Sequence, residues 1–335
     1  MTIRVFDVMS GVAGERAALG QTARRVLGCA ILLLAGATVC ALLATLWWPF
    51  DLATHFRMHY FVAALVLLAL CILWRQYLGG ALVLLCGAVH AVWLAPLLLP
   101  IGSGSAVGAT GRPFRVATVN VSESNTTPGR VLAVIDALQP DILALQETTV
   151  WWPEAPASLL EAYPYQAPLA WDLGRSVTLI SRFPITAHQM WDGGGLRVQF
   201  PVLTVDVDGR PVTVIAVHPS YGIGHVYSDA RAAYMANLAE AVRQSPYPVI
   251  VVGDFNSTPF SPVFAGLLDA TGMRNAAAGF GHFATWPAML GPFGIPIDNV
   301  LVSPEFATEA VATGPATGSD HLPLVVDLRL GASGR

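Results

Sequence analysis

Pro248-Val249-Ile250-Val251-Val252-Gly253-Asp254-Phe255-Asn256-Ser257-Thr258-Pro259 is the stretch that decides the fold. Its four apolar, mostly β-branched residues predict a buried strand over Val249–Val252. Gly253 ends the run and permits a backbone turn that other residues resist. Asp254 and Asn256 follow where strand gives way to loop, and Pro259 blocks a simple continuation. A carboxylate and a carboxamide two residues apart can face one cleft, the acid supplying charge and the amide a donor and an acceptor. A site holding a hard cation and an anionic oxygen needs that pair. An Asx turn after a core strand is the alternative reading.

The same pattern, an apolar run ending in polar groups, recurs on both sides. Arg115–Val121 alternates like a strand and carries Asn120 near its end. Thr127-Pro128 predicts the cap and first position of a helix over Val131–Leu138, stopped by Gln139-Pro140. Ile142–Leu145 predicts a second buried strand, ending in Gln146-Glu147. Directly after four core residues, Glu147 is read as facing a cleft rather than the open surface. Further strands are expected at Val177–Ser181, Gln199–Val207 and Pro211–Val217. Asp208-Gly209 makes a hairpin of the last two, and the final one runs into His218-Pro219. Ala230–Arg243 predicts a helix with Arg231 in its first turn. Ile297–Val302 is a strand with Asp298 set inside it, and a buried acid is costly unless paired or metal-bound. Gly318-Ser319-Asp320-His321 precedes a last strand, Leu322–Leu328.

Some residues support two readings. Arg231 either clamps a phosphate bidentately or pairs with a surface acid. His225 is a weaker candidate beside it. Trp151 and Trp152 follow Glu147 and either line a substrate groove or cap the core.

The chain has 335 residues, is 54% hydrophobic and only 12% charged, and the apolar excess is concentrated in residues 26–99. It has no lysine. From Gly111 onward there are 12 Arg against 19 Asp and Glu, a balance of −7. A groove that tracks long nucleic acids usually carries a basic footprint, and this composition does not advertise one. Cys29, Cys40, Cys71 and Cys86 all fall in apolar segments, so the rest of the chain needs no disulfide.

Val26–Trp48, Met58–Trp74 and Leu78–Leu99 predict three membrane spans, with Trp47 and Trp48 at an interfacial belt. Pro49–Arg57 is expected to be a short polar loop, and Arg75-Gln76 a tight turn. Arg4, Arg16, Arg24, Arg25 and Arg75 fall on one side and Arg57 alone on the other. Positive-inside then puts the N-terminus in the cytoplasm and everything after Leu99 on the extracytoplasmic side. Residues 1–25 form the cytoplasmic N-terminal segment, Pro100–Pro113 reads as a flexible linker, and a catalytic domain spans 114–330. His90, inside the third span, is either functional or a neutral histidine bonded to a neighbouring helix.

The strand ends collect Asn120, Glu147, His218, Asp254 with Asn256, Asp298, and Asp320 with His321. Carboxylates and amides without cysteine or a His-x₃-His spacing suit Mg²⁺ or Mn²⁺ rather than zinc. No Gly-x-Ser-x-Gly elbow and no Gly-rich phosphate loop is present. In this order, Thr118-Val119-Asn120, Leu145-Gln146-Glu147, His218-Pro219, Gly253-Asp254-Phe255-Asn256, Ile297-Asp298 and Ser319-Asp320-His321 resemble the endonuclease/exonuclease/phosphatase (DNase I-like) superfamily. The match covers about Phe114 to Leu328. The resemblance implies an α/β fold, a four-layer αββα sandwich of two mainly antiparallel sheets. It implies a metal ligated by Glu147 with help from Asn120. It implies that Asp320 orients His321, which acts on the attacking water or contacts the scissile phosphate. Asp254 would position or deprotonate that water, Asn256 would hold a phosphate oxygen, and His218 and Asp298 would support phosphate and leaving group.

The expected function is a membrane-tethered, divalent-metal-dependent phosphoesterase. It would hydrolyse a phosphate ester or phosphoanhydride, lipid-linked or on a headgroup, at the outer face of the membrane. The alternatives are an exported, membrane-anchored nuclease and a non-enzymatic membrane module with a decayed site.

Overall fold

The computed structural model describes residues 3–100, 111–148, 156–167, 176–196 and 198–331. They fall into two compact units. One comprises residues 1–43 and 56–94, the other residues 44–55 and 95–335.

The first unit is helical. α1 spans Ile3–Leu42, α3 spans Arg57–Leu73 and α4 spans Tyr77–Leu98, its last residues passing into the second unit. Leu27, Ile31 and Leu34 of α1 pack with Ala64 and Cys71 of α3 and with Val83 and Cys86 of α4. Small residues let the backbones approach, since a Cβ on Gly87 would lie 3.2 Å from the Ala64 Cβ. His90 is buried with its Nε2 3.0 Å from Thr38 Oγ1 on α1, matching the second reading of that residue. Residues 19–42 and α4 are each long and apolar enough to cross a membrane. A third span results if α3 counts together with the short helix before it, α2, Trp48–Thr54, from which it is bent by 62°.

The second unit is the sandwich. One sheet contains β1 (Phe114–Asn120), β2 (Ile142–Gln146), β3 (Tyr165–Gln166), β4 (Val177–Ser181), β11 (Phe306–Thr313) and β12 (Leu324–Leu330). The other contains β5 (Ile185–Asp192), β6 (Gln199–Val207), β7 (Arg210–Val217), β8 (Val249–Asp254), β9 (Arg274–Asn275) and β10 (Asp298–Val302). Their orders are β11-β12-β1-β2-β4-β3 and β5-β6-β7-β8-β10-β9. Among the described residues each sheet holds one parallel pair, β1 with β2 and β7 with β8, and is otherwise antiparallel.

Side chains alternate along a strand, and the alternation builds the layers. Val116, Ile142, Ala144, Val214, Ala216, Ile250, Val252 and Val300 meet between the sheets. Their sequence neighbours face outward. Ala117, Leu143 and Leu145 pack under α5 (Pro128–Leu138) and α6 (Ala157–Ala162). Ile215, Val217, Val249 and Val251 pack under α7 (His225–Gln244) and α8 (Pro262–Thr271). Each fully buried Val, Leu or Ile among them contributes about 1.5–3 kcal/mol.

Three expectations change in detail. Thr127 precedes α5 but does not cap it, because its hydroxyl donates to Asn125 Oδ1 at 2.8 Å. α7 starts at His225, one and a half turns earlier than the apolar pattern suggests. The expected polar loop Pro49–Arg57 is largely the helix α2, which belongs to the sandwich unit. Residues 101–110 of the expected linker lie outside the described residues.

Candidate active site

The alternation that fills the core also makes the site. Counting in twos from the inward-facing residues, Val116 leads to Asn120, Ala144 to Gln146, Ala216 to His218, Val252 to Asp254, and Val300 back to Asp298. β1, β2, β7 and β8 contribute their C-terminal ends, and β10, running the other way, contributes its first residue. Asp254 and Asp298 are direct cross-strand partners. The polar residues are therefore the mouth of the inter-sheet core.

Backbone geometry at the strand tips is unusual. Gly253 has φ +153°, and a Cβ there would lie 2.1 Å from Val217 O, where the parallel strands β7 and β8 press together. Glu147 and Asn256 sit at φ +59° and +47°, a region costly for residues with side chains. Gly318 has φ +91°, and a Cβ there would meet Thr127 Oγ1 at 2.0 Å.

Asp254 Oδ2 is the centre of the cluster. Asn120 Nδ2 donates to it at 3.1 Å, and His218 Nε2 and His321 Nε2 lie 3.6 and 3.8 Å away. Asn120 Nδ2 also donates to Glu147 Oε1 at 2.9 Å, and the same oxygen lies 3.7 Å from His218 Nε2. Asp254 Oδ1 accepts from the Asn256 amide at 2.7 Å. Burial, reinforced by the Asp298 carboxylate, pushes the Asp254 carboxyl up to about 7. Glu147 differs in being half-open to solvent, with its Oε2 accepting from the Glu123 amide at 3.1 Å.

The partner of His321 requires a correction. The ring Nδ1 lies 2.8 Å from Asp298 Oδ2, so Asp298 orients the imidazole, not Asp320. Asp320 points outward and accepts from Trp286 Nε1 at 3.0 Å. The reason is the antiparallel β8–β10 pairing, which sets Asp298 opposite Asp254, whereas successive residues before β12 point opposite ways. Burial alone would lower the His321 imidazole, but Asp298, Asp254 and Asp320 outweigh it and push it up to about 10.

Arg231 also requires a correction. It is 1% exposed, with one guanidinium nitrogen on Asp51 of α2 and the other donating to the Asn256 carbonyl at 3.0 Å. A guanidinium so engaged does not clamp a phosphate, and its acid partner is buried rather than at the surface. Asn256 stays at the rim, with its Nδ2 donating to Pro219 O at 3.0 Å. His225 is exposed, edge-on to Trp48 with ring centroids 6.4 Å apart, away from the cluster. Trp151 and Trp152 lie outside the described residues.

Four residues given no role by the sequence motifs also shape the site. Ser319 Oγ donates to Asn120 O at 2.8 Å and accepts from the His321 amide at 3.0 Å, pinning the last loop to β1. Thr118 Oγ1 donates to Gln146 Oε1 at 3.0 Å and forms a polar floor below Asn120. Trp286 and Asp51 carry no local signal, except that Pro49 and Asp51 suit the first turn of a helix.

The donors fit a hard divalent cation. Glu147, Asp254 and Asp298 offer carboxylate oxygens, whereas Asn120 faces them with its Nδ2 and its Oδ1 accepts from the Ser122 amide at 3.0 Å; Asp298 Oδ1 is buried without a hydrogen-bond partner among the described residues. Asp254, Asp298 and His321 place one candidate ligand atom each within 4.8 Å of one another.

Comparison with known proteins agrees with this architecture. The pattern of the Endonuclease/Exonuclease/phosphatase family matches residues 117–321. No curated protein matches the chain in sequence. Among solved structures, an endonuclease/exonuclease/phosphatase from Beutenbergia cavernae DSM 12333 is 24% identical, with a TM-score of 0.55 over 66% of this chain and 72% of that one. The D. rerio TDP2 complexed with single strand DNA product is 14% identical, with a TM-score of 0.56 over 65% of this chain and 99% of that one. The human Nocturnin catalytic domain with bound sulfate anion is 19% identical, with a TM-score of 0.52 over 65% of this chain and 93% of that one. These likenesses show a shared fold, and the family match covers more than half of the chain. The chain belongs to the endonuclease/exonuclease/phosphatase family, whose members are hydrolases acting on phosphate esters.

Proposed function

We propose that this protein is a membrane-tethered, Mg²⁺- or Mn²⁺-dependent phosphoesterase acting on a lipid-linked or headgroup phosphate. The observation that carries the catalytic reading is the convergence of Asn120, His218 and His321 nitrogens on Asp254 Oδ2 at the mouth of the sheet sandwich. Hydrogen-bond donors gathered beside a carboxylate can stabilise the charge that develops on phosphate oxygens while the carboxylate acts on the attacking water.

Glu147, with Asn120 beside it, would hold the cation at the half-open rim. When bound, a divalent cation neutralises part of the charge that spreads over phosphate oxygens and makes bound water more acidic. His321 bonds Asp298 through Nδ1, and the carboxylates around it favour the protonated imidazole, which would donate to a phosphate oxygen. Asp254 is then the group beside it that positions the attacking water and accepts its proton. His218 and Asn256 supply the remaining donors toward phosphate and leaving group.

Chain connectivity supports the tether. Residues 44–55 and 95–335 belong to one unit, so they share one side of any membrane crossed between them. Residues 56–94 then cross an even number of times, and if α4 spans, so does α3. With α1 this gives three spans, and the arginine bias favours the extracytoplasmic face for the site. The balance of −7 from Gly111 onward weighs against long nucleic acids. An exported nuclease is the competing activity.

The test is phosphate-ester release by the purified full chain in detergent with Mg²⁺. A lipid pyrophosphate and phospholipids are compared with single- and double-stranded DNA. Turnover of the lipid substrates is expected. Turnover of DNA alone would replace the lipid reading with the nuclease one.

A further inference from the structure

The segment between the first two apolar helices enters the sandwich unit and grips the loop that follows Asp254. Asp51, at 4% exposure, is paired with Arg231, at 1%. The second guanidinium nitrogen of Arg231 donates to Asn256 O at 3.0 Å. One turn after Asp51, His55 Nδ1 lies 2.9 Å from Thr258 Oγ1, and both residues are buried. Asn256 and Thr258 are the second and fourth residues after Asp254, so the segment from Asp51 to His55 holds this loop at two points.

The fit is built rather than incidental. Gly222 closes over the guanidinium, and a Cβ there would lie 2.4 Å from Arg231 Cζ. Pro219 in the same loop accepts from Asn256 Nδ2 at 3.0 Å, so Asn256 is held through both its carbonyl and its side chain. The Asn256 amide in turn donates to Asp254 Oδ1, which connects the clamp to the central carboxylate in one further step. An unpartnered buried arginine is strongly unfavourable, so Arg231 keeps this geometry only while Asp51 is seated.

We propose that Asp51 and His55 are positioning residues for the Asp254–Asn256 loop, so that a segment lying between two membrane-type helices completes the active site. They touch no reacting atom and act through Arg231 and Thr258. The catalytic consequence rests on the phosphoesterase reading above, whereas the clamp itself does not. Misplacing a reacting group by about 1 Å costs on the order of 100-fold in rate, so a loosened loop lowers kcat far more than it raises KM.

The experiment uses the full chain in detergent with Mg²⁺ and bis(4-nitrophenyl) phosphate as probe. It compares Asp51→Asn, Asp51→Glu and, as a control for the same loss of charge, Asp269→Asn at an exposed position of α8. Hydrogen–deuterium exchange of the 254–261 peptide is followed in each. Asp51→Asn is expected to lower kcat by about 10- to 100-fold with KM changed less than about threefold, and to raise exchange of that peptide. Asp51→Glu should recover part of both, and Asp269→Asn should match the unsubstituted protein. If Asp51→Asn does not fold, His55→Phe removes only the bond to Thr258 and should show the same pattern at lower amplitude. A kcat unchanged in the folded variant overturns the proposal. An unsubstituted protein that hydrolyses no phosphoester overturns the functional reading instead, and unchanged exchange in the variant then overturns the clamp by itself.

Discussion

Asp298 Oδ2 lies 2.8 Å from His321 Nδ1, joining the first residue of β10 to the loop before β12 across the mouth of the sandwich. The bond sets the tilt of the imidazole, and the Asp298 charge favours its protonated form. Asp298→Asn keeps the shape and removes the charge. It should lower kcat by about 10²–10⁴-fold, measured under saturating Mg²⁺. Asp320→Asn, at an outward-facing acid, should stay within roughly threefold of the unsubstituted rate. Equal losses in the two variants would return the orienting role to Asp320.

Glu147 occupies the half-open rim, with its carboxylate on Asn120 Nδ2 and the Glu123 amide. Chelation should abolish turnover, and Mg²⁺ or Mn²⁺ should restore it. Glu147→Gln should weaken Mg²⁺ binding by about 10- to 100-fold in a calorimetric titration and leave the thermal transition nearly unchanged. Full affinity in that variant would remove Glu147 from the ligand set.

Gly253 sits where β7 and β8 run closest. Its φ is +153°, and a Cβ at this position would lie only 2.1 Å from Val217 O, which leaves no room for alanine. Gly253→Ala should destabilise the protein by about 3 kcal/mol or more, read as loss of folded protein in a thermal or denaturant melt. A melt like that of the unsubstituted protein would show that the two strands can separate freely.

Arg231 depends on an acid 180 positions earlier in the chain. Asp51→Ala in the full chain removes that acid while the rest of α2 is kept, and leaves the guanidinium without its carboxylate. It should lower stability by about 3–5 kcal/mol, and replacing Arg231 by Met in the same variant should recover part of the loss, compared by chemical denaturation. Unchanged stability in Asp51→Ala would mean that the pair contributes nothing to the unit.

The strands are legible in the sequence because their signal is local. Val177–Ser181 and Gln199–Val207 have the bounds that their apolar patterns predict, and Asp208-Gly209 does form the turn of the hairpin, at φ +51° and +83°. The strand-end polar residues are legible for the same reason, since an interrupted apolar run announces itself. β5 is not, because its side chains are largely exposed and give no apolar period. Neither the Asp298–His321 bond nor the Asp51–Arg231 pair leaves a trace in periodicity. Both depend on which distant segments the topology brings together, 23 residues apart in one case and 180 in the other. The helix α2 is hidden in a similar way, as seven residues between two long apolar helices that dominate the hydropathy.

The most direct test of the central claim is Mg²⁺-dependent phosphoester release by the purified full chain, with His321→Ala beside it. Release by the unsubstituted protein is expected, falling by about 10²–10⁴-fold in a His321→Ala variant that remains folded. No release from any phosphoester, or release that persists undiminished in His321→Ala, would contradict it.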